Sequence, residues 1–315
     1  MDCKQPALGV SSCLLVNNVR YDGNNKRHSF ISTVLEKHFD LCPVCPEVAI
    51  GMGVPRERIQ VRILDGESHA VGVDNHARDV TTALQAYGQQ QVTRARTFCG
   101  YIFKSRSPSC GISDTRIFSD HGVSTGTGVY AREIFQALPY LPAIDEIQLG
   151  LAEAKDNFLE RVFTLVRWHQ DFSGPITVNQ LINFHSTHHL ALAAHCDKAD
   201  EVLSDAIACL HDPLPQEATD NYLEQLLNFL KTPLTHKDHV RTLCKLQQRL
   251  SPIISSVERE SLNTEIRNYR ENPGKLLLPL LCIKRLAKSH DLHDLARQTY
   301  INPTPAEIAL RYSKQ

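Results

Sequence analysis

Three cysteines, Cys13, Cys45 and Cys110, are the residues of this chain with the clearest potential for chemistry. Each is expected where an apolar, strand-like run gives way to a loop. Thiolates are ligands for soft metal centres, and an iron–sulfur cube normally takes four of them from protein. Three thiolates would leave one iron open, and an open iron acts as a Lewis acid. Taken singly, each cysteine is better explained as a small buried hydrophobe.

The segment around Cys45 adds a carboxylate to the pattern. Glu47 lies two residues beyond Cys45, within reach of whatever an open metal position would hold. It is a candidate general acid or base, although a surface charge or a helix cap fits the position equally well. Cys42 and Cys45 also form a C-x-x-C spacing, typical of a zinc half-site or a redox pair. The sequence contains no second C-x-x-C and no His-rich partner at zinc-finger spacing, so the zinc interpretation is weak.

The segment before Cys110 is rich in hydroxyls and cations. Lys104, Ser107 and Ser109 lie there, on a turn constrained by Pro108. Close to a metal, such groups could hydrogen-bond a substrate or its leaving group. An ordinary Ser/Pro turn has the same composition, and the sequence does not decide which serine would act.

Length and composition limit the classes of protein to consider. With 315 residues and 42% hydrophobic content, the chain is long enough for two globular domains. A net charge of −1 provides no global attraction to nucleic acid, so any such binding must come from a local patch. We find no secretory leader and no apolar run of bilayer length, which predicts a cytoplasmic protein. Its ten cysteines are then better explained by metal ligation, catalysis or burial than by disulfides.

Residues 1–150 alternate strand-like and helical patterns. Apolar runs over 8–15, 39–44, 61–64 and 98–104 predict strands, with helices expected over 29–39, 80–95 and 127–138. This alternation is typical of an α/β domain with a Rossmann-like, largely parallel sheet. Ligands of open α/β sheets bind outside the carboxyl ends of the strands. The three cysteines are therefore expected to converge at one edge of the sheet.

The remainder of the chain has helical periodicity. A long helix is expected over 145–169, so that residues 151–175 form a connecting helix and linker. An all-α domain is predicted over 176–315, with helices at 178–195, 198–210, 221–230, 237–250, 256–269, 276–288 and 291–300.

Two polar patterns stand out in the helical half. His185, His188 and His189 fall along one helix face, but no carboxylate or thiol belongs to the pattern, which favours polar packing or phosphate contact over metal binding. A basic strip recurs at every fourth residue of a predicted amphipathic helix: Lys237, Arg241, Lys245 and Arg249. A solvated face is the usual explanation, and contact with nucleic-acid phosphates is the alternative.

Three stretches around the cysteines, 10–23, 45–56 and 103–111, resemble the thiouracil desulfurase family, with 126–131 as a weaker fourth. The helical half is similar to a second domain often fused to it. Together they resemble bacterial desulfidases that convert 4-thiouridine in tRNA back to uridine. The resemblance implies a [4Fe–4S] cluster held by Cys13, Cys45 and Cys110. It also implies a non-redox hydrolysis, in which sulfur binds the open iron, water replaces it at carbon, and hydrosulfide leaves.

The resemblance also implies roles for the surrounding residues. Glu47 would move protons, and Ser107 or Ser109 would position the base or the water. The expected substrate contacts are Ser12, Arg56 and Lys104 near the cluster, and Lys237, Arg241, Lys245 and Arg249 in the helical domain. That domain would grip the tRNA, and neither a membrane nor an obligatory protein partner is expected.

Two other functions compete with this interpretation. The chain could desulfurate free thiolated bases or nucleosides, in which case the helical domain would be dispensable. It could instead be a non-catalytic cluster protein that senses or binds RNA. Glu47 discriminates against this last alternative, because a binding module has no use for a proton carrier beside an open iron.

Overall fold

The structure is a computed structural model that describes residues 5–172 and 174–312. It divides into two compact units, Met1–Phe158 and Leu159–Gln315. The division falls within a long helix, Ala152–Asp171. The predicted domain limits at 150 and 176 stay predictions, and Ser173 of the predicted linker lies outside the described residues.

The first unit is built on two four-stranded sheets. Its strands are β1 (Ala7–Ser11), β2 (Asp40–Val44), β3 (Ile59–Leu64), β4 (Glu67–Gly72), β5 (Phe98–Phe103), β6 (Thr115–Ser119), β7 (Gly122–Gly126) and β8 (Ala143–Asp145). One sheet has the order β2-β1-β5-β8, and every neighbouring pair is parallel. All six residues of β5 are buried, as expected for a central parallel strand. The predicted α/β fold is confirmed.

The second sheet was predicted only in part. Its order is β4-β3-β6-β7, with β3–β4 and β6–β7 as antiparallel hairpins and β3–β6 as a parallel pair. Strand β7 is mostly exposed, so it has no apolar run that a sequence pattern would reveal. Asp65 and Gly66 both have positive φ, at 50° and 85°. An Asp-Gly pair of this kind is a strong hairpin signal that would have identified β3–β4.

Helices and short turns join the strands of the first unit. The helices are α1 (Pro46–Ala49), α2 (Thr81–Ala95), α3 (Val129–Ala137) and the first residues of α4 (Ala152–Asp171). The predicted helix at 29–39 is a π-helical turn, Phe30–Val34, followed by a 3-10 turn, Leu35–Lys37. The prediction that a helix begins at residue 145 was wrong. Ala143–Asp145 is a strand that pairs with β5, Gln148–Gly150 forms a 3-10 turn, and the helix begins at Ala152.

The described residues of the second unit, 159–172 and 174–312, form helices joined by turns and loops, with no strand among them. After α4 come α5 (Val178–Ser186), α6 (His189–His195), α7 (Ala199–Ala208), α8 (Gln216–Phe229), α9 (His236–Leu250), α10 (Ser256–Glu271), α11 (Leu277–Ser289), α12 (His293–Ala296) and α13 (Pro305–Glu307). The helix predicted over 178–195 is two helices, and the one predicted over 291–300 contains only α12.

Local sequence signals explain where several of these helices begin. Thr177, Thr235 and Ser255 each form a capping box with the residue three positions on. Inside the unit, Trp168 packs its ring against Phe184 and Tyr222. None of the helices formed by residues 5–172 and 174–312 combines the length and apolar character needed to span a membrane.

Candidate functional site

Cys13, Cys45 and Cys110 line one cavity of about 340 Å³ in the first unit. Cys13 lies in a 3-10 turn directly after β1, and Cys45 is the first residue after β2. Cys110 follows β5 after a loop. Because β2, β1 and β5 are parallel neighbours, their carboxyl ends bring three distant loops to one edge of the sheet. Cys42 lies within β2 and is not among the residues that line this cavity.

Burial dominates the electrostatics of the three thiols. Burial, with a smaller contribution from the neighbouring Cys45, raises the pKa of Cys13 to about 12. Burial likewise raises the pKa of Cys45 and places that of Cys110 well above its ordinary value. Thiolates would therefore be costly here without a cation, whereas a bound metal centre deprotonates its thiol ligands. Three soft sulfur donors facing one cavity fit a [4Fe–4S] cluster with one iron left open.

The loop of Cys110 is held by hydrogen bonds and by one close glycine. The Ser107 hydroxyl oxygen accepts from the backbone N–H of Cys110, at 3.0 Å, and from that of Ser109, at 3.3 Å. Gly128 packs so tightly that a Cβ there would lie 2.6 Å from the Ser109 backbone. Only glycine permits this approach. Gly128 lies in the stretch 126–131 that weakly resembles the desulfurase family, so this stretch includes a residue that the Cys110 loop requires.

Glu47 is held on both of its carboxylate oxygens. Oε1 accepts a hydrogen bond from the Ser109 hydroxyl at 2.9 Å. Oε2 accepts from Nε and Nη2 of Arg56 at 2.8 and 2.6 Å. Glu47 is 15% exposed and lines the same cavity as the three thiols. A carboxylate fixed in this way can exchange protons with a molecule in the cavity without losing its orientation.

Arg56 was predicted to contact substrate, and the structure gives it internal partners. Besides Glu47, its Nη1 donates to the carbonyl oxygens of Val19, at 2.8 Å, and Gly53, at 3.1 Å. Its side chain is 4% exposed, although it lines the cavity. Arg56 therefore ties the first cysteine loop to the second and holds Glu47, while direct contact with substrate stays a prediction.

The two candidate serines occupy different positions. Ser107 lines the cavity, and its oxygen accepts from two backbone N–H groups, which leaves its own O–H to donate. Ser109 is fully buried and donates its hydroxyl hydrogen to Glu47. The structure thus separates a serine that faces the cavity from a serine that supports the carboxylate.

Lys104 belongs to a polar network with Ser105 and Glu146, of which only Lys104 was predicted as a site residue. Its Nζ donates to Glu146, at 2.5 Å, and to the Ser105 hydroxyl, at 2.9 Å. Burial would raise the pKa of Glu146, but hydrogen bonds from Lys104 and Ser105 outweigh it, so this pKa lies below its ordinary value. Glu146 follows β8 and was missed. Glu146 could have been identified because it directly follows β8, as the cysteine loops follow β1, β2 and β5 of the same sheet.

Ser12 and Tyr21 are two further side chains on the cavity wall. Ser12, predicted to bind substrate, lines the cavity, and its hydroxyl oxygen accepts from Asn17 at 2.9 Å. Tyr21, which the sequence reasoning missed, also lines the cavity and is 38% exposed. Arg20 and Arg58 lie over its ring at 5.3 and 5.9 Å from the centroid. An aromatic ring at this position could stack against a planar base.

The predicted basic strip lies on α9 in the second unit, and all four residues are exposed: Lys237, Arg241, Lys245 and Arg249. Two of them have acidic partners. Arg241 pairs with Asp238 at 2.9 Å and also donates to the Ala194 carbonyl. Lys245 pairs with Asp197 at 2.9 Å. The strip is therefore partly neutralised within the unit.

Comparison with known proteins assigns the two halves of the chain separately. Residues 8–146 match the family described as 2-thiouracil desulfurase, and residues 189–305 match a family of unknown function, DUF1722. The uncharacterized protein YbgA of Escherichia coli is 28% identical over 52% of this chain and 98% of its own length. A solved structure, the [4Fe–4S]-dependent thiouracil desulfidase TudS, is 27% identical over 46% of this chain and 93% of that chain, with a TM-score of 0.37. The match over residues 8–146, which include the three-thiol cavity, supports a desulfidase-type enzyme. The three thiols of that cavity are a donor set that fits a [4Fe–4S] cluster.

Proposed function

We propose that this desulfidase acts on 4-thiouridine in tRNA and releases uridine and hydrosulfide. The observation that carries the proposal is the position of Glu47, held by Arg56 and Ser109 on the wall of the cavity lined by the three cysteines. A proton-carrying group beside a soft metal site supports hydrolysis of a carbon–sulfur bond. A protein that only stored a cluster would not need it.

The chemistry divides between the bound group and the side chains. When bound, a [4Fe–4S] cluster with an open iron supplies a Lewis acid for soft sulfur. Glu47 takes a proton from the attacking water, whose oxygen adds to the carbon that bears sulfur. Glu47 then returns this proton to the sulfur, and the added hydroxyl group loses its own proton as the carbon–sulfur bond breaks and the carbonyl forms. Thiocarbonyl and water become carbonyl and hydrogen sulfide, which ionises to hydrosulfide, and no electron is transferred.

The remaining cavity residues orient the base and the water. Ser107 has a hydroxyl hydrogen to donate toward the cavity, and Ser109 keeps the Glu47 carboxylate in place. Lys104, paired with Glu146, provides a positive charge beside the cysteine loops. Tyr21 at the cavity supports stacking of a flipped-out base.

The second unit supports a polymeric substrate. A base within folded RNA must be exposed before it can enter a cavity, and the enzyme has to hold the surrounding backbone. Exposed basic residues on α9 provide charge for phosphate contacts. The family description, 2-thiouracil desulfurase, favours a free thiolated base as the second candidate substrate.

The deciding experiment uses the full chain, reconstituted anaerobically with iron and sulfide. We would compare kcat/KM for 4-thiouridine tRNA with that for the free nucleoside and for 2-thiouracil, measuring hydrosulfide release and loss of thiouridine absorbance. A clear preference for tRNA that declines with salt is expected. Equal activity on free bases would overturn the tRNA assignment, and absence of hydrosulfide from every substrate would overturn the desulfidase mechanism.

A further inference from the structure

A cluster of two histidines and one aspartate lies in the second unit. His185 is on α5, His189 begins α6, and Asp200 is in the first turn of α7. One ligand atom of each lies within 4.8 Å of the other two. We propose that these side chains bind a divalent transition metal of the Zn²⁺ type, independently of the cysteine site.

The structure changes which residues belong to this cluster. The spacing of His185, His188 and His189 placed three histidines on one helix face, without a carboxylate. Because the helix breaks before α6, His188 turns away, is buried, and has its Nδ1 2.8 Å from the Phe184 carbonyl oxygen. Asp200 provides the third ligand instead. Two imidazoles and a carboxylate are a donor set that suits zinc.

One distance in the cluster matches the ligand separation of a coordination site. His185 Nε2 lies 3.3 Å from Asp200 Oδ1. Two ligand atoms bound tetrahedrally to zinc at about 2.0–2.1 Å lie roughly 3.4 Å apart. His189 Nδ1 hydrogen-bonds the same Asp200 oxygen. Metal binding would replace the proton shared by that pair, as expected from the release of protons when metals bind.

The surroundings of His185 orient its ring for ligation. Its Nδ1 lies 3.1 Å from the Tyr222 hydroxyl, so the ring can donate its N–H there and present the Nε2 lone pair to the cluster. Burial lowers the pKa of His185, which favours the neutral, ligating form. The Ser204 hydroxyl, 3.0 Å from Nε2, is a further oxygen beside the site.

One side of the cluster is open. The side chains of His189 and Asp200 are 42% and 32% exposed, and both line a cleft of about 440 Å³. Arg249, Arg297 and Asp294 lie on the same cleft. Three protein ligands with one open position are typical of zinc sites that exchange a fourth ligand. The two guanidinium groups favour an anionic oxygen, such as that of phosphate, at this position.

The test must separate this site from the three cavity cysteines, because thiolates are also potential zinc ligands. Full-length chain carrying Cys13→Ala, Cys45→Ala and Cys110→Ala would be titrated with Zn²⁺ by calorimetry, and with Co²⁺ by absorption spectroscopy. We expect one equivalent to bind, with a cobalt spectrum that lacks thiolate charge-transfer bands. Stoichiometric binding should be lost on adding His189→Ala or Asp200→Ala and retained with His211→Gln, a change at an exposed histidine.

A graded variant guards against simple misfolding. Tyr222→Phe keeps the ring but removes the partner of His185 Nδ1, and is expected to weaken zinc affinity about 10–100-fold. Circular dichroism would check that each variant keeps its helices. The proposal is overturned if the folded chain without the three cavity cysteines binds no zinc, or if binding is unchanged by both His189→Ala and Asp200→Ala. Either result would leave the cluster as a hydrogen-bonded helix contact.

Discussion

The two units of this protein use buried polar groups for opposite purposes. In the first unit, three thiols, Glu47 and Ser107 line a cavity. In the second unit, buried charges neutralise one another: Glu160 accepts from His195 at 3.1 Å and lies 3.8 Å from Arg311. Burial would raise the pKa of Glu160, but Arg311 and His195 lower it to about 2. Glu47 is also paired, with Arg56, but it lines a cavity and can meet a bound molecule, whereas the pairs of Glu160 stabilise the fold.

Replacing Glu47 gives the largest test of this contrast. Glu47→Gln keeps the shape but removes the proton carrier, so kcat should fall by about 10²–10⁴-fold. Iron content and visible absorbance should stay unchanged, since the three cysteines remain. Glu36→Gln, at an exposed position, is the matched control. Full activity in Glu47→Gln would show that another group carries the proton.

Breaking the buried ion pairs of the second unit should affect stability instead of catalysis. Glu160→Gln removes the carboxylate shared by His195 and Arg311, although Arg311 keeps Glu307 at 3.9 Å, and we expect the free energy of unfolding to fall by about 3–5 kcal/mol. Denaturation can be followed through Trp168, the single tryptophan, which lies in this unit. Glu260→Gln, which removes an exposed pair with Arg267, should change stability by less than about 1 kcal/mol.

The same carboxylate predicts the direction of a pH effect. The pKa of Glu160 is about 2 in the folded chain and 4.5 in the reference state, so its stabilising contribution is complete above pH 4.5. It is lost as the pH falls from 4.5 toward 2, because the unfolded chain binds the proton first. The Trp168 transition should show less acid dependence in Glu160→Gln than in the unchanged chain. Parallel acid dependence in both proteins would contradict this account.

Variants of the two serines in the Cys110 loop distinguish the positioning of Glu47 from the support of Cys110 as a cluster ligand. Ser109→Ala removes one hydrogen bond to Glu47, and kcat should fall about 10–100-fold while iron content is retained. Ser107→Ala removes the acceptor for the backbone N–H of Cys110, so it should lower the iron bound per chain. Ser124→Ala, on the exposed strand β7, is the control. If both serine variants behaved alike, the division of roles would be wrong.

The smallest expected effect concerns the basic strip on α9. Changing Lys237, Arg241, Lys245 and Arg249 together to Gln should weaken tRNA binding and flatten its salt dependence. Because Arg241 and Lys245 already have acidic partners, the pair Lys237→Gln and Arg249→Gln should account for most of the change. If the salt dependence of tRNA binding were unchanged in the fourfold variant, the strip would be an ordinary solvated helix face.

Sequence patterns predicted the cysteine site because the same local pattern, a strand followed by a loop with a cysteine, occurs three times. Each thiol follows a strand of the parallel sheet, and parallel strands place their carboxyl ends together. Glu146 and Asp200 escaped prediction because their partners are remote in sequence or separated by a helix break. Lys104 meets Glu146 across 42 positions of chain. The mixed sheet was missed because β7, being largely exposed, has no apolar run.

Residue type and spacing by themselves determined that Cys13, Cys45 and Cys110 lie in loops that follow strands of an α/β domain, and that a helical half follows. Tertiary structure alone decided which hydroxyl faces the cavity, which arginine holds Glu47, and which carboxylate joins His185 and His189. Patterns of apolar residues specify which elements form and which faces they bury. Hydrogen bonds and ligand sets depend on distances of about 3 Å between side chains from different elements, which only packing sets.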